Sequence, residues 1–128
     1  MLVVESADAA AARGAAVYGS CTVEARFVDP ATADGAPVDA LLGALDHDEC
    51  LHLVLDGSSV GEAVRGRVSA AATEHPTGLD GGCLAPVRVL LDLLAAGSPG
   101  RHAVLTAAAE GPVALARLTV TRTTDRSW

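Results

Sequence analysis

The sequence predicts a single α+β domain over residues 1–128, because strand-like and helix-like patterns follow one another along the chain. Apolar and polar residues alternate at 18–28, 50–56, 102–109 and 113–122, and the last two segments form a hairpin around 110–112. Two segments instead have the helical spacing of apolar residues: Val38, Leu41, Leu42 and Leu45, then Val87, Leu90, Leu91 and Leu94. No internal repeat and no linker indicates a second domain.

Residues that favour chain turns delimit most of these elements. Pro30 ends the strand at 18–28, since proline cannot continue a ladder of hydrogen bonds, and Pro37 fits the first turn of the next helix. A short first strand is expected at 2–4, while the Ala-rich segment 6–16 fits a helical turn or a loop. Segment 58–72 fits either a helix capped by Ser59 and Glu62 or a hairpin. The apolar set of the strand at 18–28 is expected to face the core: Cys21, Val23, Ala25 and Phe27.

Composition excludes several classes of function. The net charge is −7 and the arginines are scattered, so no basic face for nucleic acid is predicted. No apolar run reaches transmembrane length, and the N-terminus lacks the basic region of a signal peptide. We therefore expect a cytoplasmic protein without a membrane partner. Three widely spaced cysteines indicate neither a disulfide framework nor a metal site.

The residue usage also bears on source and assembly. The chain contains no Lys, Ile, Asn or Gln, which indicates a GC-rich bacterial genome. Only 2% of the residues are aromatic, so the core is built from small side chains. Such a chain gains buried area by association, and we expect a homo-oligomer.

Asp46 and His47 are the first candidates for catalysis, because a histidine oriented by a carboxylate can act as a general acid or base. The alternative is a solvated helix end, since Asp48 and Glu49 lie in the same segment.

Cys83 is a second candidate, as a nucleophile at the start of a helix with His75 or His47 as its base. A buried filler role is the simpler interpretation of this cysteine. The glycine-rich loop at 78–82 lacks a nucleotide fingerprint. His52 and His102 lie on strands and, taken singly, are interpreted as surface or satisfied histidines. We therefore predict no metal site and no cofactor.

Several short motifs resemble those of the 6-pyruvoyl-tetrahydropterin synthase and 6-carboxy-tetrahydropterin synthase family. The turn at 35–40 resembles the Gly-Met-x-x-Asp-Phe turn, and residues 45–47 match the Leu-Asp-His that supplies catalytic Asp and His. Residues 76–77 resemble the family's Pro-Thr, and residues 118–123 resemble its last strand. Residues 18–20 fall where the family has His-Gly-His. The resemblance implies the tunnelling fold, a four-stranded antiparallel sheet with two helices packed on one face. Subunits of that fold associate through their sheets.

The chain departs from the family at the zinc site. Tyr18 and Ser20 stand where the family has two zinc-binding histidines, and the segment at 5–8 replaces the third. The family's catalytic cysteine is absent, and Arg122 stands near its pterin-binding glutamate. A Tyr, Ser and Asp set is a poor zinc site. The resemblance thus implies a metal-free enzyme in which Tyr18, Ser20 and Arg122 hold the substrate.

These expectations define two functional hypotheses. The first is a lyase-, cyclase- or isomerase-type enzyme that applies acid–base catalysis by Asp46 and His47 to a small molecule in a bacterial biosynthetic pathway. The second is a non-catalytic binding or assembly protein that retains the fold.

Overall fold

The computed structural model describes residues 4–14, 17–68, 72–75, 85–96 and 100–120. Four helices and five strands lie in these ranges. The helices are α1 (Ala7–Ala12), α2 (Ala36–Leu42), α3 (Ser59–Arg67) and α4 (Ala85–Ala96). The strands are β1 (Gly19–Phe27), β2 (Cys50–Val54), β3 (Thr73–Glu74), β4 (Gly100–Ala107) and β5 (Pro112–Val120).

The strands form one mixed sheet in the order β1-β5-β4-β2-β3. β5 is antiparallel to both β1 and β4, whereas β2 is parallel to both β4 and β3. A parallel neighbour requires a crossover connection. Helix α3 provides that connection between β2 and β3, and α4 leads from β3 to β4.

The α+β class is confirmed, but the expected sheet of four antiparallel strands is wrong. The sheet has five strands, and its β4–β2–β3 half is parallel. The error arose at segment 58–72, where the sequence allowed a helix or a hairpin. The segment contains α3, and a helix between two strands permits parallel pairing.

Side chains at the starts of α1, α2 and α3 account for where these three helices begin. The Ser6 hydroxyl accepts a hydrogen bond from Ala9 N–H, and the Ser58 hydroxyl accepts one from Gly61 N–H. The α3 cap is therefore Ser58, one residue before the predicted Ser59. Pro37 lies in the first turn of α2, as expected, but this helix ends at Leu42 rather than near Leu45.

Alternate residues of β4 pack on opposite faces of the sheet. Ala103 and Leu105 lie in the larger core beneath α2 and α3, which contribute Val38, Leu41, Val60 and Val64. Val104 lies in a smaller core with Val54 and with Val89 of α4. The two predicted amphipathic helices, α2 and α4, thus lie on opposite faces and not on one.

Strand β1 does not bury its apolar row. The row Cys21, Val23, Ala25 and Phe27 is exposed, with Val23 at 65% and Phe27 at 60% of full exposure. In the antiparallel register these residues oppose Leu118, Ala116, Ala114 and Pro112, which places the row on the α4 face. The expectation that this row faces the core is therefore wrong. α4 covers the neighbouring strands but not β1.

Two glycines provide a matched test of the fold. Gly111 has φ of 122°, and a β-carbon there would lie 2.6 Å from the carbonyl oxygen of Val28. We expect Gly111→Ala to lower the free energy of unfolding by roughly 1–3 kcal/mol. Gly66 lies in α3 with open space around it, so Gly66→Ala should raise that free energy by about 0.5–1 kcal/mol. Urea denaturation of both variants checks the pair, and two changes of the same sign would contradict the described backbone.

Candidate functional site

A polar cavity of about 210 Å³ lies on the α2–α3 face, beyond the end of the larger core. Arg101 of β4 and Arg117 of β5 share this face with core residues two positions away along each strand. Three hydroxyl residues from β1 and β5 line the same cavity: Ser20, Thr22 and Thr119. Because Ser20 opposes Thr119 and Thr22 opposes Arg117, the antiparallel register sets this arrangement.

The carboxylate of Glu49 holds the two arginines together. Its side chain is only 1% exposed. Arg117 Nε donates to Glu49 Oε2 at 3.1 Å, Arg101 Nη2 lies 3.2 Å from Oε1, and Asp46 N–H donates to Oε1 at 3.1 Å. The hydrogen bond from Arg117 is the main cause that lowers the pKa of Glu49 below its ordinary value. Glu49 thus stays ionised and fixes the loop after α2 on the sheet.

Asp46 and His47, the predicted acid–base pair, are not joined to each other. Asp46 Oδ2 lies 2.6 Å from Arg101 Nη2, so this carboxylate belongs to the arginine cluster. Within the described ranges, no hydrogen bond links it to the imidazole of His47, which is exposed.

The other predicted site residues are only partly brought together. Ser20 lies in the cavity, while Tyr18 is exposed just before β1 and is absent from the cavity lining. Arg122 and Cys83 lie outside the described residues. Sequence reasoning missed Glu49, Arg101 and Arg117 as a cluster, because their meeting depends on the register of β4 and β5.

Three of the four histidines form a continuous chain on the opposite face. His52 Nδ1 lies 2.8 Å from His75 Nε2, and His52 Nε2 lies 3.2 Å from His102 Nδ1. His52 lies on β2, His102 on β4, and His75 follows β3. From the sequence, His52 and His102 taken singly have no predicted role and His75 is predicted only as a base for Cys83, so the association of the three is a finding of the fold.

Burial fixes how protons are distributed along this chain. His102 is 9% exposed, and its Nε2 is buried with no hydrogen-bond partner among the described residues. Since a buried N–H without an acceptor is costly, we place the His102 proton on Nδ1, where it donates to His52 Nε2. His52 Nδ1 then donates to His75 Nε2. Burial, followed by the charges of His75 and His102, lowers the pKa of His52.

An uncovered apolar surface lies on the same face of the sheet as the histidine chain, which is the α4 face. We call it the bare face, and it consists of Cys21, Val23, Ala25 and Phe27 of β1 with Val87 and Leu91 of α4. A β-carbon at Gly19 would lie 3.3 Å from Leu94 Cδ2. The side of α4 that carries Val87, Leu91 and Leu94 is therefore turned toward β1. The two elements thus border one continuous surface.

The described residues contain neither a metal-binding cluster nor a membrane-spanning helix. No group of three or more His, Cys, Asp or Glu in those ranges is arranged to hold a metal ion. Among the four described helices, none has the length and apolarity needed to cross a membrane.

Comparison with known proteins identifies a likeness of fold. No protein-family model matches the chain, and no curated protein matches it. Among solved structures it is similar to the Acat5 thiolase from Ascaris suum, determined in complex with coenzyme A, with 17% identity and a TM-score of 0.57. The match covers 91% of this chain and 34% of the thiolase, so the chain spans about a third of that protein's length. At this identity the likeness concerns the fold alone.

The histidine chain predicts loss of stability in mild acid. A cationic His52 would donate from both nitrogens, which would force the His102 proton onto its unpartnered Nε2. The pKa of folded His52 lies below the ordinary 6.5. The stability that neutral His52 adds to the fold is therefore complete above about pH 6.5 and is lost as the pH falls below that value. Urea midpoints measured from pH 7.5 to 5.5 should therefore fall less steeply for His52→Gln than for wild type. The exposed His47→Gln is the control and should keep the wild-type slope. Equal slopes for all three would contradict the described hydrogen bonds.

Proposed function

We propose that this chain is a non-catalytic assembly protein that associates with a second copy of itself through the bare face. The exposure of that face is the observation that carries the proposal. A contiguous apolar patch bordered by polar residues is typical of a protein interaction site. The proposal combines two expectations from the sequence, a homo-oligomer and a non-catalytic assembly protein.

Helix α4 supports the proposal through its composition. Of its twelve residues only Arg88 and Asp92 are charged. A helix that is apolar around most of its circumference is normally covered on more than one side. Here one side packs on β2 and β4 through Val89, whereas Val87 and Leu91 are 37% and 39% exposed. A second layer of protein would cover these side chains.

Charge favours this face for contact between identical chains. Two copies of net charge −7 repel each other over most of their surfaces. The apolar row on β1 has no charged member, so two copies approach there with the least repulsion.

The catalytic alternative is less well supported, because the polar cavity neutralises its own charges. Arg101 and Arg117 are paired with Asp46, Asp48 and Glu49, and Asp46 is not linked to His47. A paired guanidinium has little capacity left to bind an anionic substrate.

Substitution on β1 tests the assembly. Val23→Ser replaces a 65% exposed apolar side chain, so it should leave the fold intact. In a pair of copies it should cost about 2 kcal/mol, or roughly a 30-fold weaker dissociation constant. Analytical ultracentrifugation of the full chain measures this constant, with folding monitored by circular dichroism.

Val4→Ser is the matched control, since Val4 is 82% exposed and lies outside β1 and α4. It should associate as wild type does. A wild-type chain that stays monomeric at tens of micromolar, or a Val23→Ser variant that associates normally, would overturn the proposal.

The acid–base enzyme of the pterin-synthase type is a second candidate. The observation in its favour is the cavity that contains Ser20 and lies beside Asp46. Turnover of a reduced pterin by the purified chain would support it, provided that Asp46→Asn and His47→Ala each abolish turnover. Activity that survives both changes, or no turnover at all, would count against it.

A further inference from the structure

Helix α4 has an outward side that its own chain leaves uncovered. Val89 is buried against Val54 of β2 and Val104 of β4, so it marks the side of α4 that faces the sheet. Val87 and Leu91 are each two positions from Val89 along the helix, which places them about 200° around its axis. Both side chains are therefore directed away from the sheet that α4 covers, and both are exposed.

The two flanks of α4, on either side of this outward side, differ in chemistry. One flank carries Leu90 and Leu94, and it faces β1, because a β-carbon at Gly19 would lie 3.3 Å from Leu94 Cδ2. The other flank carries Arg88 and Asp92, which are exposed and lie on the side away from β1. A neighbour that approaches α4 from the β1 side therefore meets apolar side chains and buries neither charge.

The uncovered space above β1 has the width of one helix. The smaller core beneath α4 takes residues from β2, β4 and β5, so α4 is centred on β4. β1 lies two strands from β4, which is about 9.6 Å at a strand spacing of about 4.8 Å. Packed helices lie about 8–10 Å apart, so a helix placed beside α4 lies directly above β1. Sheet twist rotates β1 by about −40 to −50° relative to β4, which is close to the commonest crossing angle of packed helices.

We propose that this helix is α4 of a second copy, so that α4 of each copy fills the space above β1 of the other. The inference rests on the self-association proposed above and adds the arrangement of the two copies. A twofold axis between the two helices, along their common direction, places the partner's α4 above β1 and the partner's β1 above Val87 and Leu91. The two helices run in the same direction in one layer between the two sheets, and Leu94 lies beside the partner's Leu94.

The size of this contact is sufficient for a specific pair. α4 contains 12 residues and is thus about 18 Å long. The apolar row of β1 extends over seven residues, or about 24 Å, so it seats the whole helix. Each copy contributes three strips of the helix length, each about 10 Å wide: the outward side of α4, its apolar flank and the row on β1. The two copies together bury about 1,100 Å², and a specific interface is expected to bury at least about 1,000 Å².

Cysteine cross-linking tests the arrangement. The shared layer brings the two Leu94 positions of a pair to an α-carbon separation of about 4.4–6.8 Å, which a disulfide bond requires. The three native cysteines are first replaced by alanine, which keeps the row on β1 apolar. In this background, Leu94→Cys should form a covalent dimer under mild oxidation. Its cross-linking should be at least about tenfold faster than that of Asp92→Cys, the matched control on the opposite flank, because paired copies hold the two thiols at a high effective concentration.

A mixture of Val87→Cys and Leu94→Cys distinguishes parallel from antiparallel helices. The proposed layer gives covalent dimers of Leu94→Cys with itself, whereas mainly mixed dimers would show antiparallel helices and overturn the arrangement. If Val23→Ser weakens association while Leu94→Cys and Asp92→Cys cross-link equally slowly, the bare face is the interface and the placement of α4 is wrong. If wild type itself is monomeric, both this inference and the proposed function are overturned.

Discussion

Strand β4 needs cover on both of its faces, and the architecture depends on that requirement. Ala103 and Leu105 point to one face and Val104 to the other, so helices must lie on both sides of the sheet. Helices about 10 Å wide each span about two strands spaced about 4.8 Å apart. α2 and α3 together cover one face, whereas α4 alone covers the other over β2, β4 and β5. The incomplete layer leaves β1 and the near side of α4 exposed.

The two polar clusters differ from the bare face because their side chains pair with one another. Glu49 neutralises Arg117 and shares Arg101 with Asp46, which makes the cavity a cross-link between the loop after α2 and the sheet. The histidine chain similarly joins β2, β4 and the residue after β3. Both clusters connect segments far apart in sequence and thus contribute to the stability of the fold. Among the described residues the bare face has no such partner, and the proposed self-association rests on that exposure.

The local pattern of apolar and polar residues predicted the strands and helices whose formation depends on residues close together in the sequence. The alternation at 18–28 and the hairpin around 110–112 agree with β1, β4 and β5, and Pro37 correctly marks the first turn of α2. Properties that depend on distant residues were not predictable. Glycines within α3 weakened its helical pattern, which hid the crossover and with it the parallel strands. The row on β1 has the pattern of a buried face, and periodicity alone does not tell whether the chain itself covers such a face. The meeting of His52, His75 and His102 likewise requires the register of β2 against β4.

Under the proposed self-association, strand β1 has a further consequence for a copy that has not yet met a partner. The strand forms the outer edge of the sheet over nine residues, and no further strand among the described residues pairs with its free side, which lies next to exposed apolar side chains. An edge of this kind is a template for adding strands from other unassembled molecules. A newly made copy that finds no partner is therefore vulnerable to aggregation and to proteolysis. The amount of intact protein in a cell would then depend on how quickly copies meet after synthesis, and quality control would limit the abundance of the free chain.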